Sequence, residues 1–165
     1  MKSLQIFAFL FCAATTAFAF DDTDRAAVEE TVTTFLTEFE AGNWQVLDMP
    51  PGLINFVAYQ QGMEPDELRK AMGAQTKAIM YRVSGLKSEP LWDTLQPGTL
   101  PSGQNYAFLR MRVEMSIDGG PLQASKSQNI VAQIDDGWYF VRIATAQTWD
   151  IFRAAYPEFK DVALP

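Results

Sequence analysis

The sequence predicts an α+β domain in which N-terminal helices pack on an antiparallel sheet. Two patterns carry this expectation. The first 80 residues hold apolar stripes at helical spacing, and the later half alternates apolar and polar residues with period two between Gly- and Asp-rich turns. The longest alternation is Asn105 to Ile117, where Ala107, Leu109, Met111, Val113, Met115 and Ile117 form one side and Tyr106, Phe108, Arg110, Arg112, Glu114 and Ser116 the other.

Before the first helix, residues 1–19 read as a secretory signal peptide. Lys2 supplies the positive start, Leu4 to Ala14 the apolar stretch, and Ala17-Phe18-Ala19 a small-residue cleavage site followed by acidic residues. Cleavage after Ala19 would leave residues 20–165 as a single exported domain, periplasmic or secreted, with no membrane span. It would also remove Cys12, the only cysteine.

The first helix is expected from Asp24 to Glu40, with Val28, Val32, Phe35, Leu36 and Phe39 on one stripe, Thr23 or Asp24 as cap, and Gly42 just past its end. Asn43 to Leu47 suggests a short second helix stopped by Pro50-Pro51-Gly52. Leu53 to Tyr59 is an apolar run that fits a helix or a buried extended segment equally. A helix opens at Pro65, with Asp66 and Glu67 in its first turn, and runs to about Met80.

Short strands are expected at Tyr81 to Leu86 and Leu91 to Leu95, with Gln96 to Gln104 as a loop. The long strand to Ile117 turns at Asp118-Gly119-Gly120-Pro121, returns as Leu122 to Ile134, and turns again at Asp135-Asp136-Gly137. Trp138 to Trp149 reads as the last strand, and residues 150 to 160 as a short helix.

Composition narrows the function. Hydrophobic residues make up 48% of the chain and charged residues 20%, which is globular rather than disordered. Thirteen Lys and Arg against 20 Asp and Glu give a net charge of −7, which disfavours nucleic acid. With no histidine, and no cysteine after cleavage, Ser-His-Asp and Cys-His sites and imidazole metal ligation are excluded. No calcium-loop motif is present, so neither metal nor cofactor is assigned.

The order of elements, Phe39-Glu40-Ala41-Gly42-Asn43-Trp44 at the end of the first helix, and the late Asp136-Gly137-Trp138 turn together resemble the NTF2-like (SnoaL or ketosteroid-isomerase-like) superfamily. The resemblance implies a cone whose concave sheet face, closed by helices, holds a pocket. Isomerase-like members carry a tyrosine where this chain has Phe35, and an Asp base after the second helix, where no carboxylate lies between Asp48 and Glu64. Dehydratase-like members rely on a histidine. These departures point away from catalysis.

Two binding surfaces are expected. Phe35, Phe39, Phe56, Tyr59, Met111, Met115, Val141 and Ile143 would converge on the concave side around a filled core or an apolar small molecule, with Tyr59 as a polar handle. On the outer sheet face, Tyr106, Phe108, Arg110 and Arg112 would share a surface with Trp138, Phe140 and Arg142, an aromatic and arginine mixture suited to a protein partner or a homodimer. Dimerisation through this face is common in the superfamily. The preferred reading is an exported non-catalytic NTF2-like binding module. The alternative is a pocket enzyme of isomerase or dehydratase type, using Tyr59 or a carboxylate such as Glu64 or Asp93 as acid/base.

Overall fold

A computed structural model of the protein describes residues 19–43 and 49–165. The expected signal peptide and most of the short helix at Asn43 to Leu47 lie outside the described residues. The architecture is α+β. Helices α1 (Asp22–Glu40), α2 (Pro51–Gln61) and α3 (Pro65–Met80) precede strands β1 (Val83–Thr99), β2 (Asn105–Ile117), β3 (Gln123–Ile134) and β4 (Gly137–Ile143), and helix α4 (Ala146–Ala155) follows. The strands form one antiparallel sheet in the order β1-β2-β3-β4.

Helix α1 starts two residues before the expected position because Asp21, not Thr23 or Asp24, caps it. The Asp21 carboxylate accepts the N–H groups of Thr23 and Asp24 at 2.8 and 3.0 Å, while Asp24 accepts the Asp21 N–H at 2.9 Å. Asp24 also accepts from the Asn105 side-chain amide at 2.7 Å, and Asn105 in turn accepts the Thr99 hydroxyl at 2.6 Å. This chain ties the N-terminus of α1 to the β1–β2 connection. At the other end Gly42 takes a φ of 81°, the left-handed conformation expected past the last turn.

The apolar run after Pro50 is the helix α2, with Pro51 in its first turn rather than acting as a stop. Its Ile54 and Ala58 pack with Leu68 of α3. Helix α3 has the expected bounds.

The two short strands, with Gln96 to Thr99 of the loop expected before Asn105, are instead one bulged strand, β1, and the connection to β2 is confined to residues 100–104. Pro90 pairs opposite Met111 and Pro97 opposite Ala107, and register shifts occur between Ser84 and Lys87 and between Leu91 and Gln96. Prolines are tolerated because β1 is an edge strand, where a missing N–H can face away from the ladder.

At the other edge, β4 stops at Ile143, earlier than expected. Thr145 takes over as the cap of α4, its hydroxyl accepting the Thr148 N–H at 3.1 Å.

Both faces of the sheet are covered over part of its area. On one face Ala107, Leu109 and Val131 pack with Val28 and Val32 of α1, and with half-buried Trp92, Trp138 and Phe140. The apolar stripes predict that the first helix and the helix from Pro65 both cover the Leu109 side; α1 does, whereas buried Leu68 of α3 packs with Ile54 and Ala58 of α2 instead. The opposite face, expected to be open, is also covered. There Phe108, Ile130, Ala132, Ile134, Val141 and Ile143 pack against Leu53 of α2, Trp149 and Phe152 of α4, and Tyr156 and Phe159 beyond it. Ring centroids of Trp149 and Phe152 are 5.3 Å apart in a stacked pair, and Phe108 meets Trp149 edge-on at 5.6 Å.

Candidate functional site

The residues expected to line one pocket are divided by the sheet. Phe35 and Phe39 stack on α1, with Phe35 4.5 Å from Phe140, and Met111 belongs with them on the α1 face. Met115 follows it along that face, half-buried. Val141 and Ile143 point the other way, into the core under α4. Phe56 is half-buried on α2, and Tyr59, the expected polar handle, is 82% exposed. These eight side chains therefore do not converge on one concave side.

The expected outer surface is divided in the same way. Phe108 pairs with Ile130, and Ile130 with Val141, so Tyr106 and Phe108 share a face with Tyr139, Val141 and Ile143. Trp138, Phe140 and Arg142 face α1 instead. The physical reason is the two-residue turn Asp135–Asp136, which pairs Ile134 with Gly137 and so exchanges odd and even positions across the hairpin. Phe108 is only 4% exposed, and Tyr106 lies 5.5 Å from Phe159. Of the seven residues, Arg110, Arg112 and Arg142 are exposed.

Arg110 and Arg112 belong to a region that the sequence reading did not isolate. Strand β4 pairs only with Gln128 to Ile134, so the first part of β3 and the matching parts of β1 and β2 run on without it. This three-stranded ribbon spans Val83–Pro90, Met111–Ile117 and Gln123–Ser127, and the row of Leu91, Arg110 and Gln128 borders it where Gln128 pairs with Ile143 of β4. With that border, one face carries three rows of directly paired residues: Leu91, Arg110 and Gln128; Glu89, Arg112 and Lys126; and Lys87, Glu114 and Ala124. Arg112 forms an ion pair with Glu114 at 2.8 Å, and the Arg110 guanidinium reaches the Gln128 amide oxygen at 3.4 Å. Lys126 sits directly opposite Arg112, a like-charge pairing that a sheet does not gain from.

At the end of the ribbon, Arg82 clasps Asp118 through two guanidinium nitrogens, and the Asp118 N–H donates to the Arg82 carbonyl at 2.8 Å. Around this clasp, Ile79, Tyr81, Ile117 and Leu122 remain exposed, Tyr81 to 79% and Leu122 to 60%. The hairpin signal at Asp118 to Pro121 marks the turn but not the register: strands closing at Ile117 and Leu122 would put Ser127 opposite Arg112, whereas Met115 pairs with Gln123 and so Arg112 with Lys126. The exposure of the apolar tip was not readable either, because it depends on where β4 ends.

The residues offered for acid/base chemistry are dispersed. Glu64 and Asp93 are exposed, as is Tyr59. Tyr156 has its hydroxyl held far above the usual phenol range, first by burial and then by its hydrogen bond to Asp135. That hydroxyl has a structural task. It donates to the Asp135 carboxylate and accepts the Leu53 N–H at 3.1 Å, while Asp135 also accepts the Gly52 N–H at 2.9 Å. Helix α2 has no cap from its own preceding residue, Pro50, so Asp135 and Tyr156 satisfy its first N–H groups from across the molecule. A Cβ on Gly52 would lie 2.7 Å from the Tyr156 oxygen, so only glycine fits there.

Among the described residues, no group of three or more carboxylates or other ligating side chains could hold a metal ion, and no helix is long and apolar enough to cross a membrane. Comparison with protein-family models, curated proteins and solved structures gives no match to this chain.

Proposed function

We propose that this protein is an exported, non-catalytic binding module of NTF2-like type that engages a protein partner, or a second copy of itself, through the β1–β3 ribbon. One observation carries the reading: the ribbon extends beyond the helices that cover the rest of the sheet, and around the arginine–aspartate clasp at its tip Tyr81, Ile117 and Leu122 are exposed, with Ile79 beside them at the end of α3. Aromatic and aliphatic side chains with a central arginine are the composition of interface centres. Helices followed by an antiparallel meander support the NTF2-like part of the proposal. The export part rests on residues 1–19 of the sequence.

The dispersal of Tyr59, Glu64 and Asp93 over the surface, and the use of Tyr156 in capping α2, favour binding over catalysis. Light scattering of the exported protein, alone and with extracts of its native compartment, tests the proposal. The expected result is a defined complex, of two copies or with a stoichiometric partner, that is lost in a Tyr81→Ser/Leu122→Ser variant of unchanged Tm. A variant that assembles like the wild type would refute it.

A further inference from the structure

We infer that the charged face of the ribbon docks a carboxylate-rich, Asp/Glu-bearing segment of the partner protein. The inference rests on the ribbon being a protein-binding surface, and it names the chemistry that the surface takes. The face carries Lys87, Arg110, Arg112 and Lys126 against Glu89 and Glu114. It is therefore locally basic on a chain whose net charge is −7. All four cations are exposed, and Glu114 is engaged by Arg112. Folding gains nothing from Lys126 opposite Arg112, since like charges directly across an antiparallel pair destabilise it. A carboxylate placed between them would relieve that repulsion and make charge-assisted hydrogen bonds to both.

The pattern also selects among anionic partners. Nucleic acid and anionic membranes present continuous negative charge, which Glu89 and Glu114 would interrupt. A segment with spaced carboxylates meets the cations without that opposition, and half-buried Leu91 and Gln128 at the next row offer it apolar and hydrogen-bonding contact.

A fluorescently labelled ten-residue peptide alternating Glu and Ser is the probe, titrated against the full exported protein by anisotropy. Saturable binding is expected at low ionic strength, falling away by about 0.5 M salt, where screening is nearly complete within a few ångströms. Arg110→Glu/Lys126→Glu should weaken it about tenfold. Lys70→Glu, on exposed α3, should leave it unchanged.

The single variant Lys126→Glu should also weaken binding while its Tm stays level or rises, because it places an opposite charge across from Arg112; this separates lost binding from lost folding. Absence of saturable binding, equal loss with Lys70→Glu, or tighter binding to phosphatidylglycerol vesicles than to the peptide would overturn the inference. If the Tyr81→Ser/Leu122→Ser variant loses the native complex while the charge-reversed variant keeps it, acidic docking fails and the binding ribbon stands. If neither substitution affects the complex, both readings fail.

Discussion

Strand β2 passes through two environments, and the contrast between them organises the molecule. From Ala107 to Leu109 every residue is buried, with Ala107 and Leu109 under α1 and Phe108 under α4. From Arg112 to Ile117 the same strand is part of a ribbon whose side chains are half-buried or exposed. Strand β3 divides likewise, with Asn129 to Ala132 buried and Gln123 to Lys126 exposed. The backbone ladder is continuous through both halves. What differs is whether helices cover the sheet on both sides, so burial of side chains, and not strand pairing, distinguishes a core from a surface here.

The largest test of the contrast is to remove a ring from the covered half. Phe152 is fully buried and contacts Trp149, Tyr156 and Phe159 with centroid separations of 5.3, 5.1 and 5.1 Å. Phe152→Ala should cost about 3–5 kcal/mol in urea unfolding, as for other buried aromatic deletions. A substitution this deep that cost less than about 1 kcal/mol would show that α4 does not cover the sheet.

A smaller effect is expected at the link between α4, α2 and the β3–β4 turn. Tyr156→Phe removes the hydroxyl that joins Asp135 to the Leu53 N–H, and should cost about 1–3 kcal/mol by leaving buried groups unpaired. The effect is pH-dependent with a definite sign. Because the folded protein holds the Tyr156 proton more tightly than the unfolded chain, the stabilisation is complete below the ordinary tyrosine pKa of about 10 and is lost as pH rises beyond it. Tyr106, raised by burial, contributes with the same sign. Wild-type protein should therefore lose stability on alkaline titration more steeply than Tyr156→Phe, measured as the urea midpoint against pH.

Much of the fold was legible because local chemistry decides it. The bounds of α3 follow from Pro65 and its acidic first turn, and β2 was readable from end to end by alternation. Covering of the Leu109 side by α1 followed from the Val28–Val32 stripe. The rest depended on tertiary context. Phe108 and Arg110 lie on the same side of β2, yet one is buried and the other exposed, because the cover from α4 ends between them. The turn at Asp135–Asp136 was evident, but its consequence for which of Trp138 and Tyr139 faces which helix requires the register.

One sign of double covering was present in the chain itself. Ile130-Val131-Ala132 is consecutively apolar, as a strand buried on both faces must be, whereas the polar start of β3 marks the ribbon. The candidate site was less legible than the fold. Alternation along β2 groups Arg110 and Arg112 with Tyr106 and Phe108, which pack under α4, whereas the cations beside them, Lys87 and Lys126, come from the flanking strands.

Amide hydrogen exchange on the two halves of β2 and β3 tests the central claim most directly. The amides of Leu109, Ile130 and Val131 should exchange only through global unfolding, while those of Val113, Met115 and Ser125, though in the same ladder, should exchange through local opening at a markedly lower free energy. Equal protection of both halves would mean that the ribbon is as firmly held as the core, and would contradict the division on which its assignment as the contact surface depends.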